Sequence, residues 1–431
     1  MIAAVVLALA HYSITTTRPL AQQRFDAGLT YLYAFDGPDA AIEFDGAALT
    51  DPQLAIAFWG KALADGSDLN HPITEERFAR AQADIARATA LETHASPSER
   101  ELIDAATLRY AGTYRNAVRD EAAYETAMRA YIAAHPNDDD AAMLLVEALL
   151  ESHGMTWTDG GAPANPVGVE VVNIVHDVLA RDPTHLFANH LCIHVYDTAP
   201  DRTFAIDCAR RLDAMTFGPG EEHLAHMPAH LWLEIGDGEK ALASSARAWA
   251  LHPTEYAAHD AYVALLAALM AGDRAAALQW STRLAALGPY HEDAVIDART
   301  GDWSGAKSKL HFAAGSPSAA VLDARSDEAR GNVAGAIARL LPLEHSVRLA
   351  GEMLPFFPPD EALGAIYYRA GRFSEAAQTF DTILASRPDD PRALFGMWQT
   401  SLALRDTANA TRYAELFAQY WAGGTLTMND F

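Results

Sequence analysis

Cysteine is almost missing from this 431-residue chain, which holds only Cys192 and Cys208. Two thiols cannot build a disulfide framework, and there is no CxxC pair for zinc or redox chemistry. The two fall on successive predicted helices, where buried free thiols are expected and a single bridge is the alternative. Positive charge is scarce too. Against 57 Asp and Glu there are 32 Lys and Arg, a formal net charge of −25. Such a surface repels nucleic acid phosphates and anionic lipid, so neither is an expected partner; it favours cations, metal ions among them. Long apolar runs are also lacking. The opening MIAAVVLALA is too short to span a membrane. It has the apolar core of a secretory signal and a small-x-small site at Ala8-Leu9-Ala10, but no basic leader. One expectation is therefore an exported protein that loses residues 1–10; the other is a cytoplasmic protein with a structured first segment. No Gly-rich phosphate loop or Ser-centred nucleophile motif occurs, so no nucleotide cofactor is expected.

What is present is periodic. Proline closes alanine-rich stretches at Pro52, Pro136, Pro183, Pro253, Pro289 and Pro388, as it does where helices end. In DEALGAIYYRAGRFSEAAQTFDTILASRPDD, the residues Leu363, Gly364, Tyr367, Gly371, Ala376, Phe380 and Pro388 fall at tetratricopeptide (TPR) spacing. That repeat is a helical hairpin of about 34 residues whose small residues let two antiparallel helices approach while aromatics fill the seam. A second clear unit carries Gly28, Tyr31, Ala40, Phe44, Ala47 and Pro52. Weaker copies are anchored by Gly236 with Ala241 and Ala248, Gly272 with Ala277, Gly301 with Ala306, and Gly331 with Ala336. Helical patterns at 97–134 and 138–152 keep the spacing without the glycines. Two loops interrupt the series: GSDLNHPI at 66–73 and the Gly/Pro-rich HGMTWTDGGAPANPVG at 153–168. The expected fold is an all-α, TPR-like α-solenoid of antiparallel helical hairpins forming a superhelix. Residues 1–20 would be an N-terminal segment, 21–420 one continuous repeat array with shared cores, and 421–431 a frayed tail.

Histidine is concentrated in two elements. His190 and His194 lie in NHLCIHVYD, and His223, His226 and His230 lie in EEHLAHMPAHLW. Spacing of i, i+3 and i+4 puts each set on one helix face. Imidazole is the commonest protein ligand for transition metals. The HExxH pattern of metalloproteases is absent.

Across most of its length the chain resembles a group of bacterial TPR proteins with His-rich elements. His223, His226, Met227, Pro228 and His230 match an HxxHMPxH stretch. Tyr256 and His259 match a YxxHN-like stretch, with Asp260 where asparagine is usual and Tyr262 where a further histidine is common. His11 matches a histidine near the start of the group's repeats. The resemblance implies the fold and a role for the histidines; it supplies no reaction. It also implies that first-helix positions 2, 5, 9, 12 and 13 line a concave groove. In that register His190 and His194 take positions 5 and 9 of one hairpin. His223, His226 and His230 take positions 2, 5 and 9 of the next, and His259 position 2 of the third.

All six histidines are thus expected on one groove surface as candidate ligands for Zn, Cu, Fe or Ni, with Cu favoured by affinity order. Glu147, Asp197 and Glu234 fall nearby as ligands, orienting partners or bases. If the site is catalytic, Glu147 or Glu234 would accept the proton. Pro228 either bends its helix to aim His226 and His230 or is a tolerated irregularity. The competing reading is a metal-free scaffold whose groove binds a peptide, a partner protein or a small-molecule ligand. Lesser candidates are His11 as an N-terminal copper chelator, Asn70 and His71 on the 66–73 loop as groove cover or helix cap, and Trp59 and Tyr33 as stacking or seam aromatics. Tyr196, Tyr256 and Tyr262 flank the histidine helices as donors.

Overall fold

The computed structural model describes residues 9–158, 160–252, 256–288, 293–299, 309–310, 312–343 and 355–431. Residues 1–8, Pro253 and Pro289, the Gly301 and Ala306 anchors, and His291, His311 and His345 lie outside them. Among the described residues there are 21 α-helices and no strand. None of these helices is long and apolar enough to cross a membrane. The chain groups into two compact units, Met1–Ala199 with Arg210–Leu224, and Pro200–Ala209 with Ala225–Phe431.

The first unit contains α1 (Pro19–Tyr33), α2 (Gly37–Thr50), α3 (Ala55–Ala64), α4 (Glu75–Ala90), α5 (Pro97–Arg109), α6 (Ala117–Ala134), α7 (Asp139–His153), α8 (Pro166–Arg181) and α9 (Leu186–Tyr196). Next come α10 (Thr203–Ala214) and α11 (Glu222–Ile235), each of which gives residues to both units. The second unit contains α12 (Gly238–Ala250), α13 (Ala257–Ala271), α14 (Arg274–Leu287), α15 (Asp293–Arg299), α16 (Pro317–Ala329), α17 (Val333–Leu340), α18 (Pro359–Arg369), α19 (Phe373–Ser386), α20 (Pro391–Ala403) and α21 (Thr407–Tyr420).

The hairpins close as the repeat spacing requires. A Cβ on Gly28 or on Gly60 would lie 2.7 Å from the ring of Phe44, so α1 and α3 both pack bare backbone on one aromatic of α2. The same clasp recurs in the second unit, where a Cβ would meet Phe380 at 2.8 Å from Gly364 and at 2.4 Å from Gly396. Phe44 and Phe380 are fully buried. This close approach of small residue to aromatic makes the fold TPR-like.

The hairpin turns share one device. Gly236, Gly272, Gly331 and Gly371 end first helices at φ of 94°, 74°, 80° and 74°, the left-handed region. The next residue then donates its N–H back across the turn: Asp237 to Trp232, Asp273 to Ala268, Asn332 to Asp327 and Arg372 to Tyr367, at 2.8–2.9 Å. Asp237, Asp273 and Asn332 also cap the following helix with their side chains. Two turns make the same backbone closure without glycine, through Phe35 at φ 58° and Arg405 at φ 61°. A side chain in this conformation costs about 1–2 kcal/mol.

Two expectations need correction. Cys192 and Cys208 are not free thiols; both are disulfide-bonded. Spacing alone favours buried thiols because the bridge depends on how two helices pack. The 421–431 tail is not frayed. Leu426, Met428 and Phe431 are buried, and the Arg392 guanidinium lies 4.0 Å over the Phe431 ring. Arg325 donates to the Asn429 carbonyl at 2.6 Å, and Arg369 donates to that of Met428.

Candidate metal centres

The six candidate histidines fall into two groups of three. In the first unit, His190, His194 and His223 bring one ring nitrogen each within 4.8 Å of one another. In the second unit, His226, His230 and His259 do the same. His190, His223 and His226 are buried, and the other three are half-buried. They sit in helix seams, since a register position that faces a neighbouring helix closes over as the helices pack.

The second-unit trio combines α11 with the first turn of α13. His230 Nε2 lies 3.1 Å from His226 Nε2 and 3.1 Å from His259 Nε2. A tetrahedral ion with bonds of about 2.0–2.1 Å separates its ligand nitrogens by about 3.3–3.4 Å, so the observed spacing is close to a coordination shell. An Asp260 carboxylate oxygen lies 3.2 Å from His226 Nδ1, within ion-pair reach although not aligned as a hydrogen bond. Both side chains are fully buried. Burial pushes the imidazoles down: His230 to about 4, His259 to about 4 with a further push from His230, and His226 well below its ordinary value. At neutral pH all three are uncharged, the form that binds metal.

The three rings meet through their Nε2 atoms, where either a proton or an ion can lie between them. With the Nδ1 proton toward Asp260, the His226 Nε2 lone pair would point at His230. His230 Nε2 can carry one proton, which its two 3.1 Å contacts then share unequally. The other contact is then a weaker branch of a three-centre hydrogen bond, and an ion between the rings would use all three lone pairs instead.

The first-unit trio is built from α9 and the start of α11. His190 Nδ1 lies 2.7 Å from the carbonyl oxygen of Tyr33, which only accepts; the proton is therefore on Nδ1 and Nε2 is bare. That Nε2 lies 3.1 Å from His194 Nε2. Tyr33 is fixed in turn, its ring stacked on Phe187 at 4.3 Å and its hydroxyl donating to Asp140 at 2.6 Å. The Phe35 ring packs on all three imidazoles, with centroids 4.6 Å from His190, 5.8 Å from His194 and 5.4 Å from His223. From the 66–73 loop, the Asn70 side-chain amide reaches His223 Nε2 at 3.3 Å.

The carboxylates singled out by register belong to neither trio. Glu147 is buried in a small cavity lined also by Phe35, Asp68 and Arg109, and desolvation raises its carboxyl well above the usual range despite the opposing Arg109. Burial therefore favours its protonated form. Glu234 is ion-paired with Arg202 at 3.0 Å. Asp197 caps the end of α9. Pro228 lies inside α11 between His226 and His230, where it leaves the Leu224 carbonyl without its helical N–H.

Among the lesser candidates, His11 is exposed and held by Asp26 at 2.8 Å, and His71 Nδ1 faces Asp68 at 3.0 Å. Trp59 is core. Tyr196 meets His176 at 2.7 Å, Tyr262 packs on Phe356, and Tyr256 is the N-cap residue of α13. Sequence reasoning missed three groups: the Tyr33 carbonyl, which has no side-chain signature; the ring of Phe35, on a position that elsewhere holds glycine; and the Asp260 carboxylate, which meets His226 only through the packing of α11 and α13.

No protein-family model matches the chain, and no curated protein matches it in sequence. Solved structures that align with it include the P58(IPK) TPR domain, at 14% identity and TM-score 0.23 over 93% of each chain. The APC/C Cut9–Hcn1 hetero-tetramer aligns at 14% identity and TM-score 0.38, over 94% of this chain and 74% of that one. Yeast Tom70 aligns at 11% identity and TM-score 0.23, over 96% and 87%. Superpositions this loose carry no functional argument, and the TPR-like description rests on the chain's own hairpins.

Proposed function

We propose that this protein is a helical-repeat metal protein with one three-histidine transition-metal centre in each of its two units. The observation that carries the reading is the His226–His230–His259 trio, whose two 3.1 Å Nε2 contacts converge on one nitrogen at close to the separation of ligands on a single ion. Asp260 beside His226 Nδ1 supports it, since a carboxylate behind a ligating imidazole fixes the ring and raises its basicity. An all-imidazole set suits Zn, Cu or Fe. Three protein ligands leave a position open for water or a small ligand, the pattern of catalytic and not of structural sites. When bound, the ion would supply Lewis acidity there. The chain's residues hold the rings neutral, aim their lone pairs and keep the trio largely shielded from water.

Metal analysis of protein purified without an affinity tag tests this. The expected result is a stoichiometric transition metal whose removal by a chelator lowers Tm and whose return restores it. An ion at about a hundredfold over its Kd adds about 2.7 kcal/mol. If no metal co-purifies and Zn, Cu and Fe all leave Tm unchanged, the reading fails and a metal-free scaffold for a peptide or protein partner replaces it.

A further inference from the structure

Four consecutive main-chain carbonyls of the 421–431 segment are taken by guanidinium groups. Arg369 donates to that of Met428, Arg325 to those of Asn429 and Phe431, and Arg392 to that of Asp430; the Arg325–Asn429 and Arg392–Asp430 contacts are both 2.6 Å. The three arginines stand on α16, α18 and α20, the first helices of successive hairpins, and α18 packs on both of the others. Two of them are braced from behind. Glu328 accepts from Arg369 at 2.7 and 2.8 Å, and Glu361 accepts from Arg392 at 2.9 Å. Burial, with Arg369 and Arg392 alongside, pushes the Arg325 guanidinium down to about 9. A buried cationic strip of this kind needs acceptors along its length.

The segment meets the strip with its backbone and with spaced apolar side chains. Leu426, Met428 and Phe431 are buried, while Thr427 and Asn429 between them are exposed. Phe431 stacks on Phe395 at 5.9 Å and meets, at 6.3 Å, the Phe380 ring that Gly364 and Gly396 clasp. The polar side chains are bonded within the segment. Thr427 donates its N–H and its hydroxyl to the Asp430 carboxylate at 2.7 Å each, and its hydroxyl oxygen accepts the Asn429 N–H at 3.2 Å. These bonds close one 3-10 turn over Met428–Asp430 and do not depend on docking. Carbonyls facing arginines and apolar groups filling a seam make the pattern of a bound peptide, with main chain supplying affinity and pockets supplying selectivity. The join to α21 is bare. The Ala422 N–H is fixed to the Ala271 carbonyl at 2.8 Å, but beyond it Gly424 has nothing within 4 Å of where a Cβ would stand, and Thr425 is exposed. The turn can therefore leave as a unit.

We infer that the Arg325–Arg369–Arg392 strip is a peptide-binding site, that residues 426–431 are its built-in occupant, and that a peptide from another protein with the same order of apolar residues enters by displacing them. The inference does not depend on the metal reading, since none of these residues belongs to either trio. A short flexible tether gives the built-in segment an effective concentration of about millimolar, so an incoming peptide competes at a disadvantage that vanishes once the segment is released.

The probe is a synthetic GGTLTMNDF peptide, amidated so that its last carbonyl is uncharged and labelled at its N-terminus for fluorescence anisotropy. In the full chain carrying Met428→Ser and Phe431→Ser, whose own segment has lost two anchors, the peptide is expected to bind saturably and about tenfold or more tighter than to the unsubstituted chain. Adding Arg325→Ala should weaken it by about tenfold or more, because two hydrogen bonds from a charged donor are lost. A peptide with alanine in place of its phenylalanine should not bind. Absence of binding to a Met428→Ser/Phe431→Ser chain that still unfolds cooperatively overturns the inference and makes residues 426–431 a fixed cap. So does equal binding with and without those substitutions, or binding indifferent to Arg325→Ala. If the double variant does not fold, hydrogen exchange of the unsubstituted chain decides. Exchange at the 426–431 amides should be faster than in α18 and α20 and should rise as peptide is added. Exchange at those amides that saturating peptide leaves unchanged overturns the inference.

Discussion

Phe35 occupies a position at which four other hairpins place a left-handed glycine, and it adopts the same backbone at φ 58°. Its ring is 3% exposed and touches every imidazole of the first-unit trio. The chain thus accepts about 1–2 kcal/mol of local strain to put an aromatic there. Two truncations separate strain from packing. Phe35→Ala should destabilise by about 3–5 kcal/mol, because it loses the ring and keeps the strain. Phe35→Gly should cost about 1 kcal/mol less than that, because it also releases the backbone. Urea titration of the metal-free proteins measures both, and equal costs would show that no strain is stored at residue 35.

Glu147 makes a pH prediction at the same scale. Its folded value lies above its unfolded one because of burial. Between the two, the folded state holds a proton that the unfolded state has lost, so stability falls as pH rises from the ordinary carboxylate range, about 4.3, toward the raised value. Glu147→Gln removes that term. Unfolding measured at about pH 5 and about pH 8 should show a smaller loss of stability in the variant. An unchanged loss would place the titration elsewhere.

Between helices, the organising contact is the clasp of one phenylalanine by two glycines. Adding a methyl at Gly364 places Cβ 2.8 Å from the Phe380 ring, and neither backbone can withdraw while α18, α19 and α20 stay packed. Gly364→Ala should cost about 1–3 kcal/mol by overpacking. Phe380→Leu makes room, so the double variant should be more stable than the sum of the single losses allows. Strict additivity would mean that the seam tolerates the methyl.

This contact was legible in the chain because both partners recur at fixed spacing, Gly28 with Phe44 and Gly364 with Phe380. The histidine faces were legible for the same reason: His190 and His194, or His226 and His230, lie one turn apart on a helix. Their partition was not. Which imidazole meets which depends on what each face of α9, α11 and α13 packs against, and helical period is silent on that. Tyr33 contributes a carbonyl, Asn70 arrives on a loop, and Glu234 is taken up by Arg202, a residue 32 positions earlier. Each depends on a long-range contact that local pattern does not encode.

For the molecule as a whole, a net charge of −25 raises the local concentration of any cation without selecting a place for it. On the metal reading proposed above, selection would fall to the two trios, and each draws all three histidines from a single compact unit although α11 supplies both. His223 goes to one, and His226 and His230 go to the other. Nothing in either ligand set is shared, so the centres should fill and empty separately. His194→Ala should remove one equivalent of metal and His230→Ala the other, with the double variant binding neither. Both histidines are half-buried, so truncation leaves the surrounding seams largely in place. The metal-induced rise in stability should divide in the same way, as expected for sites with no common partners. Titration of the four proteins followed by calorimetry decides it. Loss of both equivalents from either single variant would mean that the trios form one cooperative site, and the assignment of three ligands to each would have to be abandoned.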